Sequence, residues 1–236
     1  RTQERRLVSW RQWLQARDHL LAEEKELSRA RDRLSEKRRA LPWVRVDQSY
    51  EFERSSGRAT LADLFDGKSQ LIIYHFMFAP DWDVGCKSCS FWADGFERSA
   101  VHLAQRAVTL IAVSRAPLSK LLPFAERMGW SFPWVSSRGS SFNHDFGVSF
   151  TEAELAKGEI SYNYGRHKAF GSDMPGVSVF AKDEQGSVFH TYSCYSRGLD
   201  MLNATYQYLD LVPKGRDESG LPYPMSWLRL RDDYET

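Results

Sequence analysis

The feature that most constrains the fold is a pair of short apolar runs separated by a stretch with helical character. The runs, residues 71–78 and 108–113, have the length and composition of strands buried on both faces of a sheet. Between them, residues 89–106 place large apolar side chains at helical spacing. A strand–helix–strand order favours parallel pairing with a right-handed crossover. We therefore predict an α/β protein with a central sheet.

A pair of cysteines lies where the first buried strand gives way to the helix. Cys86 and Cys89 belong to the stretch Gly85-Cys86-Lys87-Ser88-Cys89-Ser90. The first cysteine of such a pair is close to unpaired backbone N–H groups and to the positive end of the helix dipole, which favour the thiolate. The second, about one turn later, can attack a mixed disulfide. We predict Cys86 as the nucleophile and Cys89 as the resolving thiol, with Lys87 adding a nearby positive charge.

The rest of the chain after the dithiol predicts further elements of the same sheet. Pro117 suits the first turn of a helix that runs to Met128 and is stopped by Gly129. A turn at residues 183–186 joins two strand-like segments and predicts a hairpin. The remaining predicted elements are strands at 43–46, 50–53, 177–180 and 187–192, and a last helix at about 198–211.

This order of elements resembles the thioredoxin fold, and several segments strengthen the resemblance. Residues 57–78 resemble the opening of peroxiredoxins and related reductases, and Met174-Pro175 matches the cis-proline position that faces the dithiol. Residues 76–94, 114–147 and 190–218 resemble a bacterial family of unknown function labelled predicted dithiol–disulfide oxidoreductases. The resemblance implies a thioredoxin-like fold with a central mixed sheet flanked by helices, a cis Pro175 beside Cys86, no cofactor, and thiol–disulfide exchange as the activity.

Three further residues are candidates to assist the thiols. Thioredoxins carry a buried acid that accepts the proton of the resolving thiol, and the resemblance suggests His75, in the first buried strand, for that role. The alternative for His75 is a core histidine hydrogen-bonded to the backbone. Trp82 and Asp83 precede Cys86 and are predicted to wall the substrate groove, with ordinary loop packing as the alternative.

Two other functions compete for the same dithiol. A zinc site would need two more ligands, which Cys194 and a histidine could supply, but the sequence has no second CxxC, so no metal is predicted. Such a protein would be a non-enzymatic, metal-holding interaction protein. A peroxiredoxin-like thiol peroxidase is the closer alternative, although Pro80 lies six residues before Cys86 and Val84 replaces the threonine of the peroxiredoxin pattern.

The first forty residues differ in composition from the remainder. They contain 12 Lys and Arg against 7 Asp and Glu, no Gly and no Pro, and a narrow stripe of apolar residues at spacings of three, four, six and seven. We predict a charged helical arm at 1–40 that could join two copies of the chain, with packing on its own domain as the alternative. A thioredoxin-like domain at 41–213 and a tail at 214–236 that packs on this domain complete the predicted organisation.

The overall charge restricts the expected partners. Lys and Arg total 32 against 31 Asp and Glu, so neither nucleic acid nor a membrane surface is an expected partner. No apolar run approaches the length of a membrane span, and no signal peptide is predicted, which makes the cytoplasm the expected compartment. The expected partner is a disulfide-containing protein or a small thiol or disulfide, together with an electron donor that the sequence does not identify.

Overall fold

The computed structural model describes residues 6–234, and the chain divides into two compact units between Pro42 and Trp43. The first unit holds helix α1, Trp10–Arg39. Its start is fixed by a capping box in which the Ser9 and Gln12 side chains each bond to the other residue's backbone. None of its residues is buried, and Trp10 stacks on Trp13 with ring centroids 4.6 Å apart. The long helix is as expected, and its proposed role in joining two copies stays a prediction.

The second unit is built on an eight-stranded mixed sheet and a separate two-stranded sheet. Along the large sheet the strands lie in the order β1-β10-β9-β4-β5-β6-β2-β3. The strands are β1 Val44–Arg45, β2 Glu51–Arg54, β3 Gly57–Thr60, β4 Gln70–His75, β5 Val108–Ser114, β6 Trp134–Ser136, β7 Glu159–Tyr162, β8 Gly165–Lys168, β9 Gly176–Lys182 and β10 Val188–Tyr195. The helices that follow α1 are α2 Lys87–Ala93, α3 Phe96–Ala104, α4 Leu118–Arg127, α5 Phe142–Asp145, α6 Glu152–Ala156 and α7 Ala204–Leu209. Two 3₁₀ helices span Asp63–Phe65 and Ser196–Leu202.

The centre of the large sheet has the thioredoxin topology. Strands β4 and β5 pair in parallel, with Ile72 opposite Leu110. On its other side β4 pairs antiparallel with β9, and β9 pairs antiparallel with β10. The order β10-β9-β4-β5, with only β9 reversed and helices α2 and α3 crossing between β4 and β5, is that of the thioredoxin fold. The predicted mixed α/β architecture is confirmed.

Large apolar side chains cover both faces of the sheet. One cluster joins Tyr74 and Phe76 to the rings of Phe96, Phe124 and Trp134 under helices α2 to α4. The other cluster lies on the opposite face and joins alternate residues of β4 and β5 to several aromatic rings; it includes Leu71, Ile73, Ile111, Phe52, Phe142 and Phe180. Successive side chains of a strand point to opposite faces, so neighbouring residues of β4 belong to different clusters.

Two predicted helices are interrupted in the structure. The stretch 89–106 forms α2 and α3 rather than one helix, because the chain turns at Asp94 and Gly95, where Asp94 accepts a hydrogen bond from Trp130 Nε1 at 2.8 Å. The stretch 198–211 starts as a 3₁₀ helix and continues as α7. Asn203 separates the two parts with an extended backbone, and its side chain caps α7 by accepting from the Tyr206 N–H.

The last residues return to the domain. Leu228 and Leu230 are buried, and Leu230 joins the core cluster beneath α2 to α4. Arg127 at the end of α4 pairs with Asp232 at 2.6 Å and with Asp233 at 2.8 Å. Among residues 6–234, no helix is both long and apolar enough to cross a membrane.

Candidate dithiol site

The dithiol occupies the loop after β4 and the start of α2. The Cys86 N–H donates to the Met77 carbonyl at 3.1 Å, which ties the loop back to the end of the strand. Gly85 precedes the pair where a Cβ atom would lie 2.9 Å from the Phe76 ring and 3.0 Å from the Phe124 ring. Only glycine fits that approach without moving two core rings, which explains its position directly before Cys86.

Cys86 is the N-cap residue of α2, as the sequence predicts for a first redox cysteine. Its Sγ accepts the N–H of Cys89 at 3.5 Å, so the sulfur takes the place of a capping oxygen. Its carbonyl accepts both the Ser90 N–H at 2.9 Å and the Ser90 hydroxyl at 3.0 Å. Hydrogen bonding by the Cys89 side chain, with help from backbone N–H groups, lowers the pKa of Cys86 to about 7.

Cys89 lies behind Cys86 and is 1% exposed, whereas Cys86 is half-buried. The Cys89 Sγ accepts the Met77 N–H at 3.4 Å. Burial is the main reason that the pKa of Cys89 is raised well above its usual value, and the nearby Cys86 sulfur adds to the increase. One sulfur of the pair therefore ionises near neutral pH while the other keeps its proton.

Tyr74, rather than His75, is the residue of β4 that lies on the same face of the sheet as the dithiol. Its hydroxyl forms a hydrogen bond with Cys89 that lowers the pKa of this thiol, and both residues belong to the same core cluster. His75 points through the opposite face, where it stacks on Phe142 with centroids 5.6 Å apart. The expectation that His75 assists the resolving thiol is wrong, because alternation along the strand places it on the other side of the sheet.

His75 instead begins a chain of four polar side chains. His75 Nε2 is 2.9 Å from Ser178 Oγ, which is 2.9 Å from Ser193 Oγ, which is 2.8 Å from His190 Nε2. Burial, with a contribution from His190, lowers the pKa of His75 to about 3, so its imidazole is neutral at physiological pH. The buried side-chain hydrogen bond replaces the backbone bond that the alternative interpretation of His75 expected.

The Met174–Pro175 peptide bond is trans, so the expected cis bond is wrong; no peptide bond within residues 6–234 is cis. Neighbouring groups hold this segment: the Met174 N–H donates to the Val148 carbonyl at 2.8 Å, and the Pro175 carbonyl accepts the Tyr162 hydroxyl at 2.6 Å. Pro175 nevertheless lies beside the dithiol, on the wall of the same cavity as Cys89.

The other predicted helpers lie apart from that cavity. Trp82 is half-buried, packs against the core under α2 to α4, and accepts the Lys120 ammonium on its carbonyl at 2.7 Å. Asp83 is exposed, and neither residue lines the cavity beside Cys89. Lys87 is the first residue of α2 and is half-buried. Cys194 is buried in the core close to Gly198, as expected for a packed small residue.

A cavity of about 210 Å³ opens beside Cys89, and most of its wall was not foreseen from the sequence. Apolar side chains from β4, α2, β7 and the segment after β10 line it, together with residues of the C-terminal tail. The principal lining residues are Tyr74, Trp92, Tyr162, Leu199, Tyr206 and Met225. In the described part of the chain, no group of three or more His, Cys, Asp or Glu side chains is arranged to hold a metal ion.

The family model "Bacterial protein of unknown function (DUF899)" matches residues 2–234. The chain belongs to this family. The match spans nearly all of the sequence, including the dithiol, the β7–β8 hairpin and the tail. None of the curated protein sequences matches the chain.

Solved structures of peroxiredoxins are similar to this member of the family. Peroxidoxin BcpB from Mycobacterium tuberculosis is 17% identical, with a TM-score of 0.46, over 71% of this chain and 97% of that chain. A mutant of Xanthomonas campestris peroxiredoxin Q is 15% identical, with a TM-score of 0.42, over 67% of this chain and 90% of that chain. A mutant of Xylella fastidiosa PrxQ is 15% identical, with a TM-score of 0.42, over 70% and 95%. At this level the similarity transfers no activity.

Proposed function

We propose that this protein is a thiol–disulfide oxidoreductase that uses Cys86 as the nucleophile and Cys89 as the resolving thiol. The observation that carries the proposal is the asymmetry of the pair. Cys86 is half-buried at a helix start and has a lowered pKa, whereas Cys89 is buried directly behind it and has a raised pKa. The thiolate is the attacking form of cysteine, so reaction begins at Cys86.

The exchange proceeds in two balanced steps. The Cys86 thiolate attacks one sulfur of a disulfide R–S–S–R, forms a Cys86–S–S–R mixed disulfide, and releases R–S⁻, which takes up a proton. Cys89 then loses its proton, and its sulfur attacks Cys86 Sγ, forms the Cys86–Cys89 disulfide and releases the second R–S⁻. Two electrons pass from the dithiol to the substrate. The reverse sequence oxidises a dithiol partner, and the reduction potential of the pair determines which direction is used.

Three serine variants test the proposal against dithiodipyridine, a disulfide whose released thiol absorbs light. Cys86→Ser is expected to reduce the exchange rate to that of buffer without protein. Cys89→Ser is expected to release one thiol and to stop at a mixed disulfide that mass spectrometry locates on Cys86. Cys194→Ser is the matched control, because Cys194 lies in the core, and it should react like the unmodified chain. Equal residual rates in the Cys86 and Cys89 variants would contradict the assigned roles.

A thiol peroxidase would use the same two sulfurs with a different oxidant. Peroxide would oxidise Cys86 to a sulfenic acid, which Cys89 would convert to the same internal disulfide with loss of water. Val84, which is 49% exposed in the loop before Cys86, has no hydroxyl to orient a peroxide. Rates with hydrogen peroxide and with dithiodipyridine, each divided by the rate of free cysteine, separate the two activities. We expect a larger ratio for the disulfide, and a larger ratio for peroxide would favour the peroxidase.

A further inference from the structure

The cavity beside Cys89 is lined by groups that favour an uncharged apolar ligand. Tyr74, Trp92 and Leu199 line it, as does Met225 of the tail. The volume of about 210 Å³ exceeds the roughly 150 Å³ of an engineered apolar cavity that binds benzene. One aromatic ring with small substituents, or a branched aliphatic group, therefore matches the space next to the sulfur.

The charged residues on the wall are largely paired within the fold. Arg216 pairs with Asp200 and with Asp210, each at 2.7 Å, and its guanidinium lies 4.1 Å from the Tyr206 ring centroid. Glu218 accepts hydrogen bonds from the Tyr206 hydroxyl, the Trp227 indole and the Met225 N–H, at 2.7, 2.7 and 3.0 Å. These contacts satisfy Asp200, Arg216 and Glu218 and hold the tail against the cavity, whereas Arg197, the other charged residue of the lining, is exposed to solvent.

The backbone around the cavity offers few places for a peptide strand. Peptides often bind by adding a strand through main-chain hydrogen bonds. Here the Pro175 carbonyl already accepts the Tyr162 hydroxyl at 2.6 Å, and the Ser196 N–H donates to the same hydroxyl at 2.9 Å. The Met174 N–H is bound to the Val148 carbonyl at 2.8 Å. Three main-chain groups beside the dithiol are therefore already used within the fold.

The hairpin β7–β8 supplies the tyrosine that occupies those groups. Its two-residue turn, Asn163-Tyr164, adopts the left-handed conformation with φ of 50° and 61°, as expected of a tight hairpin. Tyr162 at the end of β7 is 3% exposed and also lines the cavity. The tyrosine of this hairpin is directed at the site.

We propose that the cavity binds the apolar group of a small, uncharged disulfide, or of its thiol product, and that low-molecular-weight compounds rather than peptide strands are the substrates. The proposal rests on the exchange activity proposed above and narrows its substrate class. The chemistry is unchanged: Cys86 attacks the disulfide, two electrons reduce it to two thiols, and the Cys86–Cys89 disulfide forms. The cavity adds binding of one apolar group beside Cys89, the neighbour of the attacking Cys86.

The first test compares dithiodipyridine, which is neutral and aromatic, with oxidised glutathione, which is charged and peptide-like. Each rate is divided by the rate of the same disulfide with free cysteine, which removes differences in intrinsic reactivity. Burial of one ring is expected to make the corrected rate for dithiodipyridine larger by about tenfold or more. Equal corrected rates, or a preference for oxidised glutathione, would overturn the proposed substrate class.

A matched pair of variants locates the preference in the cavity. Met225→Trp places a larger side chain on the cavity wall, and it is expected to remove most of the preference, measured as the ratio of the corrected rate for dithiodipyridine to that for oxidised glutathione. Met201→Trp is the control, because Met201 is 41% exposed and does not line the cavity. Equal effects of the two substitutions would contradict the assignment. Thermal unfolding of both variants shows whether either fold is lost, and the comparison of substrates in the unmodified chain stands without them.

Calorimetry with benzyl methyl sulfide separates a failure of the cavity from a failure of the exchange activity. This neutral thioether has one ring and no sulfur that can exchange. One outcome is that the full chain binds the thioether, that Met225→Trp weakens this binding, and that the protein has no exchange activity. This outcome supports the ligand class and overturns the proposed reaction. The other outcome is that the protein exchanges both disulfides at equal corrected rates and does not bind the thioether. This outcome supports the proposed reaction and overturns the inference about the cavity.

Discussion

The two faces of strand β4 show how adjacent residues acquire unrelated environments. On one face the Tyr74 hydroxyl forms a hydrogen bond with Cys89 beside an open cavity, and the pKa of Cys86 is lowered while that of Cys89 is raised. On the other face His75 lies in a closed aromatic core and bonds to Ser178. Both residues are 1% exposed, so burial alone does not distinguish them. What separates a residue that can assist the thiols from one that cannot is the direction of its side chain.

The largest expected difference between the faces is in their response to pH. With the Cys86 pKa at about 7, the rate of its alkylation by iodoacetamide should rise about tenfold per pH unit below neutrality and level off above it. The rate rises with pH because the thiolate is the form of cysteine that reacts with iodoacetamide. Free cysteine, measured beside it, should keep gaining rate up to about pH 8.5. A Cys86 profile that follows free cysteine would show that the helix start does not stabilise the thiolate.

The His75 face should show no such titration. Because its pKa is lowered to about 3, the imidazole of His75 remains neutral through the physiological range. Its ring carbon signals in the NMR spectrum should therefore stay constant between about pH 5 and 8, where those of free histidine in solution shift about a midpoint of roughly pH 6.5. A His75 midpoint near neutrality would mean that the core around it admits a charge.

Tyr74→Phe is expected to have the next largest effect. The substitution keeps the ring and removes the hydroxyl that bonds to Cys89, so Cys89 should lose its proton less readily. We expect the second step, release of the second thiol, to slow by about tenfold. Alkylation of Cys86, which reports the first step, should change little. Equal slowing of both steps would indicate a general disturbance of the site rather than loss of this hydrogen bond.

His75→Leu is expected to have the smallest effect on the exchange rate. It should lower the stability of the fold without lowering the activity. The variant leaves the Ser178 hydroxyl without its histidine partner in a closed core, which should lower the free energy of unfolding by about 1–3 kcal/mol. Because His75 lies on the face away from the sulfurs, exchange rates of the folded variant should stay within about twofold of the original. Denaturant titration and the dithiodipyridine assay provide the two measurements. A loss of exchange activity without a loss of stability would indicate that His75 does assist the thiols.

The sequence predicts the sheet better than it predicts the site. Apolar runs and turn signals are local, and they were sufficient for β4, β5, the β9–β10 hairpin and the position of the dithiol at the start of α2. Which face of β4 receives α2 is not local. Alternation restricts Tyr74 and His75 to opposite faces without showing which face carries the sulfurs. The resemblance to thioredoxins predicted His75 as the residue beside the resolving thiol. Helix α2 packs on the other face of β4, so Tyr74 is the residue that lies there.

The residues that line the cavity could not be predicted from the sequence for a related reason. Met225 and Glu218 are more than a hundred residues from Cys89 along the chain and line the same cavity, in a tail where Arg216 pairs with Asp200 and Asp210. The sequence predicts a tail that packs on the domain, but no local pattern in the tail places it beside Cys89.

A redox titration of the full chain in mixtures of reduced and oxidised glutathione tests the central claim most directly. Alkylation at each ratio, followed by mass spectrometry, measures the fraction with Cys86 and Cys89 joined. The account predicts a single two-electron transition between dithiol and internal disulfide, with Cys194 alkylated at every ratio once the protein is unfolded. Glutathione accumulating on Cys86 without formation of the internal disulfide, or a disulfide that includes Cys194, would contradict it.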